Sequence, residues 1–235
     1  MILTIHQPEH MPWTGFFNKM LKANIYVHLD DVQYKKNNFQ NRNKIVGPTG
    51  DPFWITLPLQ DNGSTEKINQ KKICESEWKR KYLNKIKHTY TNAKYFDIYF
   101  EEIEIIIQKK FDNLADFNIT LIDWFREKLQ IDNRTIRSSS IIHQGSKSDL
   151  IEGICLCMGA DTYLSGVSGR DYLNLESFKS KGIEVIFHSF VPPIYKSVNY
   201  HPGLSTLDIL MNYGSSSREM ILSPQKKSVT FSKGL

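Results

Sequence analysis

Two histidines lie close together near the start of the chain, within a segment broken by prolines. His6 ends the apolar stretch ILTIH, which predicts a short buried strand over residues 2–6, and His10 follows in QPEHMPWTG. Ligands of open α/β sheets bind outside the carboxyl ends of the strands, where this turn lies. Imidazoles there can hold a phosphate or act as acid and base near neutral pH. We therefore predict that His6 and His10 are catalytic; the alternative is a pair of polar loop residues that satisfy backbone groups.

A pair of carboxylates, Asp30 and Asp31, follows a second predicted strand, IYVHL at residues 25–29. Successive side chains of an extended chain point to opposite sides, so at most one of the two faces the cleft. We predict that Asp31 is catalytic, as a general base or as a group that binds the substrate. A divalent metal bound together with His10 is one alternative, and an Asx-turn at the start of a solvated loop is the other. Our prediction includes no metal site.

The long polar segment DDVQYKKNNFQNRNKIVGPTGDP comes next, and it is long for a passive connection. Within it, Asn41 and Arg42 stand side by side. A guanidinium binds a carboxylate or a phosphate through two parallel hydrogen bonds. We predict that Asn41 and Arg42 hold a carboxylate or a diphosphate of the substrate, the alternative being an ordinary surface charge.

Turns rich in serine and glycine follow two of the later predicted strands. Ser138-Ser139-Ser140 ends one strand, and SGVSGR at residues 165–170 follows another. A glycine-rich turn after a strand exposes backbone N–H groups that suit an anion, although many strand–helix turns also contain glycine. The substrate-binding residues predicted from these turns are Ser139, Ser165, Gly166, Ser168, Gly169 and Arg170.

The elements that must position these residues alternate in type. A helix over about 15–23, with Thr14 as its cap, separates the first two strands and implies a parallel pair. The further strands are predicted at 53–59, 135–141, 162–166 and 183–190, and the later helices at 148–160 (capped by Ser148) and 204–214 (ended by Gly214). We predict an α/β fold with a mostly parallel sheet, flanking helices and a helical insertion at about 64–130. The whole chain, 1–235, is expected to form one domain whose tail frays from about 215.

Composition excludes several classes of protein. Of the 235 residues, 40% are hydrophobic and 23% are charged, which rules out wholesale disorder. No apolar run approaches the roughly 18–20 residues of a membrane-spanning helix, and the first residues lack the features of a signal peptide. We therefore expect a cytoplasmic protein with no membrane span. Three cysteines without paired spacing argue against a disulfide framework.

The net charge of +5 fits phosphorylated substrates as well as nucleic acid. The lysines of residues 67–94 lack the aromatic interleaving of a nucleic-acid groove and predict a solvated face. We therefore expect no nucleic-acid partner.

The opening segment, HQPEHMPWTGFFNKMLKANIYVHLDDVQYKKNNFQNRNKI, resembles the signature of the WbqC-like family: HQP, then PW-GFF-K, then LDDVQ, then NR. The similarity continues through WITLPL, YLSGVSGRDYL and LSTLDILMNYG. It implies that Lys19 and Gln33, which stand in these motifs, also bind substrate. Family members often have an aromatic residue where this chain has His10, whereas His6 matches the motif. The resemblance also implies a role in bacterial O-antigen or other surface-glycan synthesis.

Three functions follow as hypotheses. The first is a transferase that moves an acyl or aminoacyl group onto a nucleotide-linked amino sugar, with His6 as the base. The donor would be an acyl carrier protein thioester, a coenzyme A thioester or an activated amino acid. The second is a nucleotidyltransferase-like enzyme that uses ATP and Mg²⁺, although the spacing H-x-x-x-H departs from the H-x-x-H motif of that class. The third is a non-catalytic binding protein of a glycan-assembly complex.

Overall fold

The structure, a computed structural model, describes residues 1–47, 49–61, 65–195 and 201–223. Its strands, in chain order, are β1 (Ile2–His6), β2 (Ile25–His28), β3 (Arg42–Val46), β4 (Pro52–Thr56), β5 (Arg134–Arg137), β6 (Thr162–Ser165) and β7 (Glu184–Phe187). Its α-helices are α1 (Thr14–Leu21), α2 (Trp78–Tyr90), α3 (Phe96–Gln108), α4 (Leu114–Lys128), α5 (Lys147–Cys157), α6 (Leu175–Ser180), α7 (Thr206–Tyr213) and α8 (Ser217–Leu222). The fold is α/β.

A five-stranded parallel sheet lies at the centre, in the order β5-β2-β1-β6-β7. From β1 the chain builds the sheet to one side through β2 and β5, and then to the other side through β6 and β7. The direction of winding therefore reverses between β1 and β6. In doubly wound sheets this reversal opens a crevice at the carboxyl ends of the two strands, and ligands bind there.

Successive side chains of β1 point to opposite faces of the sheet, and a separate hydrophobic cluster lies on each face. Leu3 and Ile5 pack with α5, through Leu150 and Ile154, on one face. Thr4 and His6 point to the opposite face, where Tyr26 of β2 joins the larger cluster with residues of α1 and α4. Because α1 crosses from β1 to β2, the predicted strand–helix–strand unit is confirmed, and the two strands pair in parallel with His6 opposite His28.

The connection from β2 to β5 carries the insertion. The polar segment predicted as a loop contains β3, which pairs antiparallel with β4, and the strand predicted at 53–59 is observed at Pro52–Thr56. Sequence reasoning missed β3 because the alternate buried residues of RNKIV, Asn43 and Ile45, differ in polarity. The segment therefore lacks a clear apolar alternation. The helices of the insertion begin only at Trp78, after described residues 65–77 that form no helix, and a break at residues 109–113 divides the later helical run into α3 and α4.

The carboxyl-terminal part follows the predicted alternation, with differences at the caps and in the tail. Ser148 lies inside α5 rather than capping it, and its hydroxyl accepts a hydrogen bond from the Asn174 N–H at 2.9 Å. Gly214 ends α7 with φ +58°, a conformation that glycine adopts readily. Within the tail expected to fray, residues 217–222 form α8, whose Ile221 is fully buried. Residues 224–235 lie outside the described residues.

No helix in the described ranges is both long enough and apolar enough to cross a membrane.

Candidate functional site

A cavity of about 620 Å³ opens at the carboxyl ends of β1 and β6, where the winding of the sheet reverses. His6 and Gln7 line it from the end of β1, and Lys19 reaches it from α1. Residues 165–172, which follow β6, form the opposite wall together with the start of α5. The loop after β2 completes the lining. The position is the one that the parallel topology favours for a ligand.

A chain of hydrogen bonds runs through the wall of this cavity. The Lys19 Nζ lies 2.7 Å from His6 Nδ1 and 3.2 Å from the carbonyl oxygen of Ile5. On the other side of the imidazole, His6 Nε2 lies 2.9 Å from Glu9 Oε1. A carboxylate can only accept, so a neutral His6 donates its Nε2–H to Glu9 and accepts from Lys19 at Nδ1. We refer to these three side chains as the Lys19–His6–Glu9 chain.

The pKa values of this chain are shifted by burial and by mutual charge. Burial lowers the pKa of Lys19 to about 8, against the raising effect of the Glu9 carboxylate. Burial, followed by the positive charge of Lys19, lowers the pKa of His6, and Glu9 opposes both. These shifts favour a neutral imidazole on His6. They also make part of the Lys19 amine neutral near physiological pH.

The remaining polar lining is mixed in charge but dominated by cations. Lys35 from the loop after β2 and Lys147 at the start of α5 join Lys19, while Glu9 and Asp171 supply the acidic groups. Two of these acidic and basic groups, Glu9 and Lys19, belong to the same hydrogen-bonded chain. The two remaining lysines, Lys35 and Lys147, outnumber Asp171, and this positive balance suits an anionic part of a ligand.

The serine- and glycine-rich turn after β6 packs tightly beneath the cavity. A Cβ on Gly169 would lie 2.0 Å from Ser165 Oγ and 2.9 Å from Leu173 Cδ1, so a larger residue there has to displace these two side chains. A Cβ on Gly166, by contrast, would meet no atom within 4 Å. Ser165, Gly166, Ser168 and Gly169 all line the cavity. Arg170 does not, because its guanidinium stacks over the ring of Phe187 at 4.4 Å.

His10 lies in the hydrophobic core and does not line the cavity. It is fully buried, its Nε2 contacts the Tyr82 hydroxyl at 2.7 Å, and its Nδ1 contacts Asn118 Oδ1 at 3.1 Å. The ring stacks on Phe117 with centroids 5.7 Å apart. Burial lowers the pKa of His10 to about 4, against a smaller raising effect of the hydrogen bond with Asn118. The structure therefore does not bring the two predicted histidines together.

Asp31 and Ser139 belong to a second polar cluster, at the carboxyl ends of β2 and β5. Asp31 accepts a hydrogen bond from the Ser138 hydroxyl and lies 2.9 Å from His143 Nε2. Asp30, fully buried, accepts from the Ser139 hydroxyl at 2.8 Å and from the Ser139 N–H at 3.0 Å. These contacts fix the turn after β5 to the turn after β2, and neither Asp31 nor Ser139 lines the cavity of His6.

Asn41 and Arg42 line a different cavity, of about 390 Å³, beside the β3–β4 hairpin. The Arg42 guanidinium stacks on Trp54 at 4.3 Å and donates to the carbonyl oxygen of Asn37. Gln33 forms an isolated antiparallel bridge with Lys67 and lines neither cavity. Of the predicted site residues His6, Asp31, Arg42 and Ser168, which come from four separate segments, only His6 and Ser168 therefore line the same cavity.

Two residues near His6 were not singled out from the sequence. Glu9 stands three residues after His6, and this close spacing was a signal that it could reach the imidazole. His188 follows β7, and its N–H donates to the Ser165 carbonyl oxygen at 2.8 Å. Burial, together with the charges of Lys22, Lys19 and His6, lowers the pKa of His188 to about 4. No local pattern in the sequence links His188 to His6, because the sheet topology alone brings them together.

Metal ligation has no candidate in the described parts of the chain: no three or more His, Cys, Asp or Glu side chains are grouped there to hold an ion.

Comparison with known proteins places the chain in a family. It is 27% identical over 224 residues to the uncharacterized protein Rv1507c of Mycobacterium tuberculosis, an alignment covering 93% of this chain and 96% of the relative. No solved structure matches. The WbqC-like family matches residues 7–220, which include α1, every strand from β2 to β7 and the cavity lining apart from Ile5 and His6. The chain belongs to the WbqC-like protein family.

Proposed function

We propose that this protein is a transferase that moves an acyl or aminoacyl group onto the amine of a nucleotide-linked amino sugar, in the cytoplasmic steps of surface-polysaccharide synthesis. The observation that carries the proposal is the Lys19–His6–Glu9 chain in the wall of a cavity at the winding reversal of the sheet. The surface-glycan pathway, including O-antigen, follows from the association of WbqC-like proteins with it.

The Lys19–His6–Glu9 chain is suited to remove a proton from an amine that attacks a carbonyl carbon. In the proposed step, an N–C bond forms between the sugar amine and the acyl carbon, and the bond from that carbon to the leaving group breaks. With a thioester of coenzyme A or of an acyl carrier protein, the leaving group is a thiolate. The amine proton passes to the Lys19–His6–Glu9 chain, all three members of which line the cavity.

The charge of the lining favours the phosphorylated part of such a sugar. Lys35 and Lys147 line the cavity from two different elements, and their positive charges would attract a diphosphate. The hydroxyls of Ser165 and Ser168 lie on the opposite wall, where sugar hydroxyls or phosphate oxygens find hydrogen-bond partners.

The test is a mass-spectrometric assay of the purified protein with a panel of nucleotide amino sugars and acyl donors. The expected result is an acylated nucleotide sugar with at least one pair, formed by the parent and lost in the His6→Ala variant. His88→Ala is the matched control, because His88 is exposed on α2, away from the cavity lining. Binding of the nucleotide sugar with no product from any donor would contradict the transferase and favour a binding protein instead.

A second candidate, nucleotidyl transfer with ATP, is favoured by one observation: the cavity occupies the crevice in which doubly wound sheets bind nucleotides. The burial of His10 counts against it, because a histidine motif of that class needs both imidazoles at the ligand. Release of pyrophosphate that depends on ATP and Mg²⁺ would support this candidate over acyl transfer.

A further inference from the structure

We propose that Lys19, rather than a ring nitrogen of His6, is the group that takes the proton from the attacking amine, and that His6 is a positioning residue between Lys19 and Glu9. This inference rests on the proposed function, because it names the base of that reaction. It departs from the expectation drawn from the sequence, in which His6 is the base and Lys19 only binds substrate.

Both ring nitrogens of His6 are already engaged within the protein. Nε2 is bonded to Glu9 Oε1 at 2.9 Å, and Nδ1 is bonded to Lys19 Nζ at 2.7 Å. The carboxylate fixes the ring hydrogen on Nε2, so the lone pair of Nδ1 is used by Lys19. A neutral His6 in this arrangement offers no free lone pair to a ligand, unless one of the two bonds breaks first.

The amine of Lys19 has the complementary arrangement. Its Nζ donates to two acceptors, His6 Nδ1 and the carbonyl oxygen of Ile5, and Lys19 lines the cavity. A neutral amine has two hydrogens and one lone pair. The two acceptors use both hydrogens, so the lone pair stays available on a side chain that lines the cavity.

The electrostatic surroundings allow this amine to give up and regain a proton. The groups coupled to it come from several elements: His6 on β1 is hydrogen-bonded to it, Glu9 in the following turn raises its pKa, and its charge lowers the pKa of His188 after β7. With its pKa lowered to about 8 by burial, about a tenth of Lys19 is neutral at pH 7. Glu9 Oε2 is buried without a hydrogen-bond partner among the described residues, so its charge is free to stabilise the lysinium that the reaction produces.

The proton balance of the step is simple. An N–H bond of the acceptor amine breaks as the N–C bond to the acyl group forms, and the proton is gained by Lys19 Nζ. The thiolate leaves with the electron pair of the C–S bond. Lys19 then returns its proton to the thiolate or to water, and His6 keeps the same tautomer throughout.

The first experiment needs no turnover. The titration of the lysine amines is followed by NMR on protein labelled at lysine, with the Lys19→Arg variant used to assign Lys19. We expect Lys19 to titrate at least one pH unit below the ordinary lysine pKa of 10.5. We also expect Glu9→Gln to lower the midpoint of Lys19 further, because the Glu9 charge raises that pKa. A Lys19 that titrates at or above this ordinary value overturns the inference.

The second experiment compares conservative variants in the transfer assay. Arginine keeps the charge of Lys19 but cannot act as a base, so Lys19→Arg should lower turnover on the order of 10²–10⁴-fold. An asparagine at position 6 places an amide oxygen near the site of Nδ1 and can still accept from Lys19. His6→Asn should therefore retain at least about ten times the turnover of His6→Ala, and turnover in the parent should rise with pH to a midpoint near that of Lys19.

The two proposals fail in different ways. If His6→Asn and His6→Ala are equally inactive while Lys19→Arg is active, His6 is the base and the inference is wrong, although the transferase stands. If no pair of donor and acceptor turns over, the proposed function fails. The NMR titration then decides by itself whether Lys19 is the low-pKa amine on which the inference depends.

Discussion

His6 and His10 are the same residue type four positions apart, yet the fold gives them opposite surroundings. The side chain of His6 is 29% exposed at the cavity and lies between two ionisable partners, Lys19 and Glu9. His10 is fully buried between two neutral partners, Asn118 and Tyr82, and stacks on Phe117. Burial lowers the pKa of both imidazoles, but only His6 also has charged groups within hydrogen-bonding distance.

The difference arises from the path of the backbone between the two residues. β1 ends at His6, so that its side chain stays at the carboxyl edge of the sheet. The turn then bends inward: the His10 N–H donates to the Phe39 carbonyl oxygen at 2.8 Å, and Met11 adopts a positive φ of 45°. The histidine at the cavity thus connects two ionisable side chains, whereas the histidine in the core satisfies the polar groups of neutral neighbours. The following predictions test this contrast.

The largest effect is expected at the cavity side. His6→Ala should lower turnover in the transfer assay on the order of 10²–10⁴-fold, because Lys19 loses the acceptor that orients it. The thermal midpoint should stay close to that of the parent, as measured by calorimetry. A variant that melts early but keeps normal turnover per folded molecule would instead make His6 a structural residue like His10.

Substitution of His10, in the core, should lower stability rather than activity. His10→Ala removes a buried ring and leaves the Tyr82 hydroxyl and Asn118 Oδ1 without this partner. We expect a loss of about 2–4 kcal/mol in the free energy of unfolding, measured by urea denaturation. Turnover per folded molecule should be within a few fold of the parent, and a selective loss of turnover would contradict the contrast.

The pH dependence of stability should also reflect the burial of His10. The pKa of His10 is about 4 when folded and near its ordinary 6.5 when unfolded, so its stabilising contribution is complete above pH 6.5. Between pH 6.5 and 4 only the unfolded chain gains the proton, and stability falls as pH decreases. For His10 alone, we expect a loss of about 2 kcal/mol from pH 6.5 to 5.

Urea denaturation of the parent and of His10→Gln at pH 7.5, 6 and 5 measures the loss of stability that is due to His10. The variant should show a shallower decline, while His88→Gln, altered at an exposed position, should decline as the parent does. The pKa values of His28 and His188 are lowered to about 3 and about 4. These two residues therefore contribute to the decline of stability with decreasing pH in all three proteins. Identical slopes for the parent and His10→Gln would show that His10 is protonated in the folded protein.

The smallest effect is expected on the wall opposite His6. Gly169→Ala forces its methyl group against Ser165 and Leu173, and we expect a loss of about 1–2 kcal/mol in stability together with weaker nucleotide-sugar binding. Gly166→Ala is the matched control, because its methyl group meets open space and φ is −68°. Calorimetry should place the control within about 0.5 kcal/mol of the parent. Equal effects of the two substitutions would mean that the close packing at Gly169 is unimportant.

Much of the parallel sheet could be predicted from local patterns. ILTIH and IYVHL are short apolar stretches bounded by turn residues, and a helix between them leaves only a parallel pairing with a right-handed crossover. Gly214 was identified as the end of α7 because a left-handed residue there favours glycine. The hairpin strand β3 was missed, since Asn43 is buried by a hydrogen bond to the carbonyl oxygen of Met11, a contact that no local pattern encodes.

The sequence by itself determined the α/β class and the placing of His6 and Ser165 at the carboxyl ends of strands, because both follow from the periodicity of a few adjacent residues. Only the tertiary structure decided which polar residues share the cavity. His10 is held by Asn118 of α4, 108 residues further along the chain, and Asp31 by Ser138 after β5. Glu9 and Lys19 acquire their roles because a turn and a helix bring them to the two nitrogens of one imidazole. Such contacts depend on how separate elements pack, and a linear pattern of residue types contains no measure of that packing.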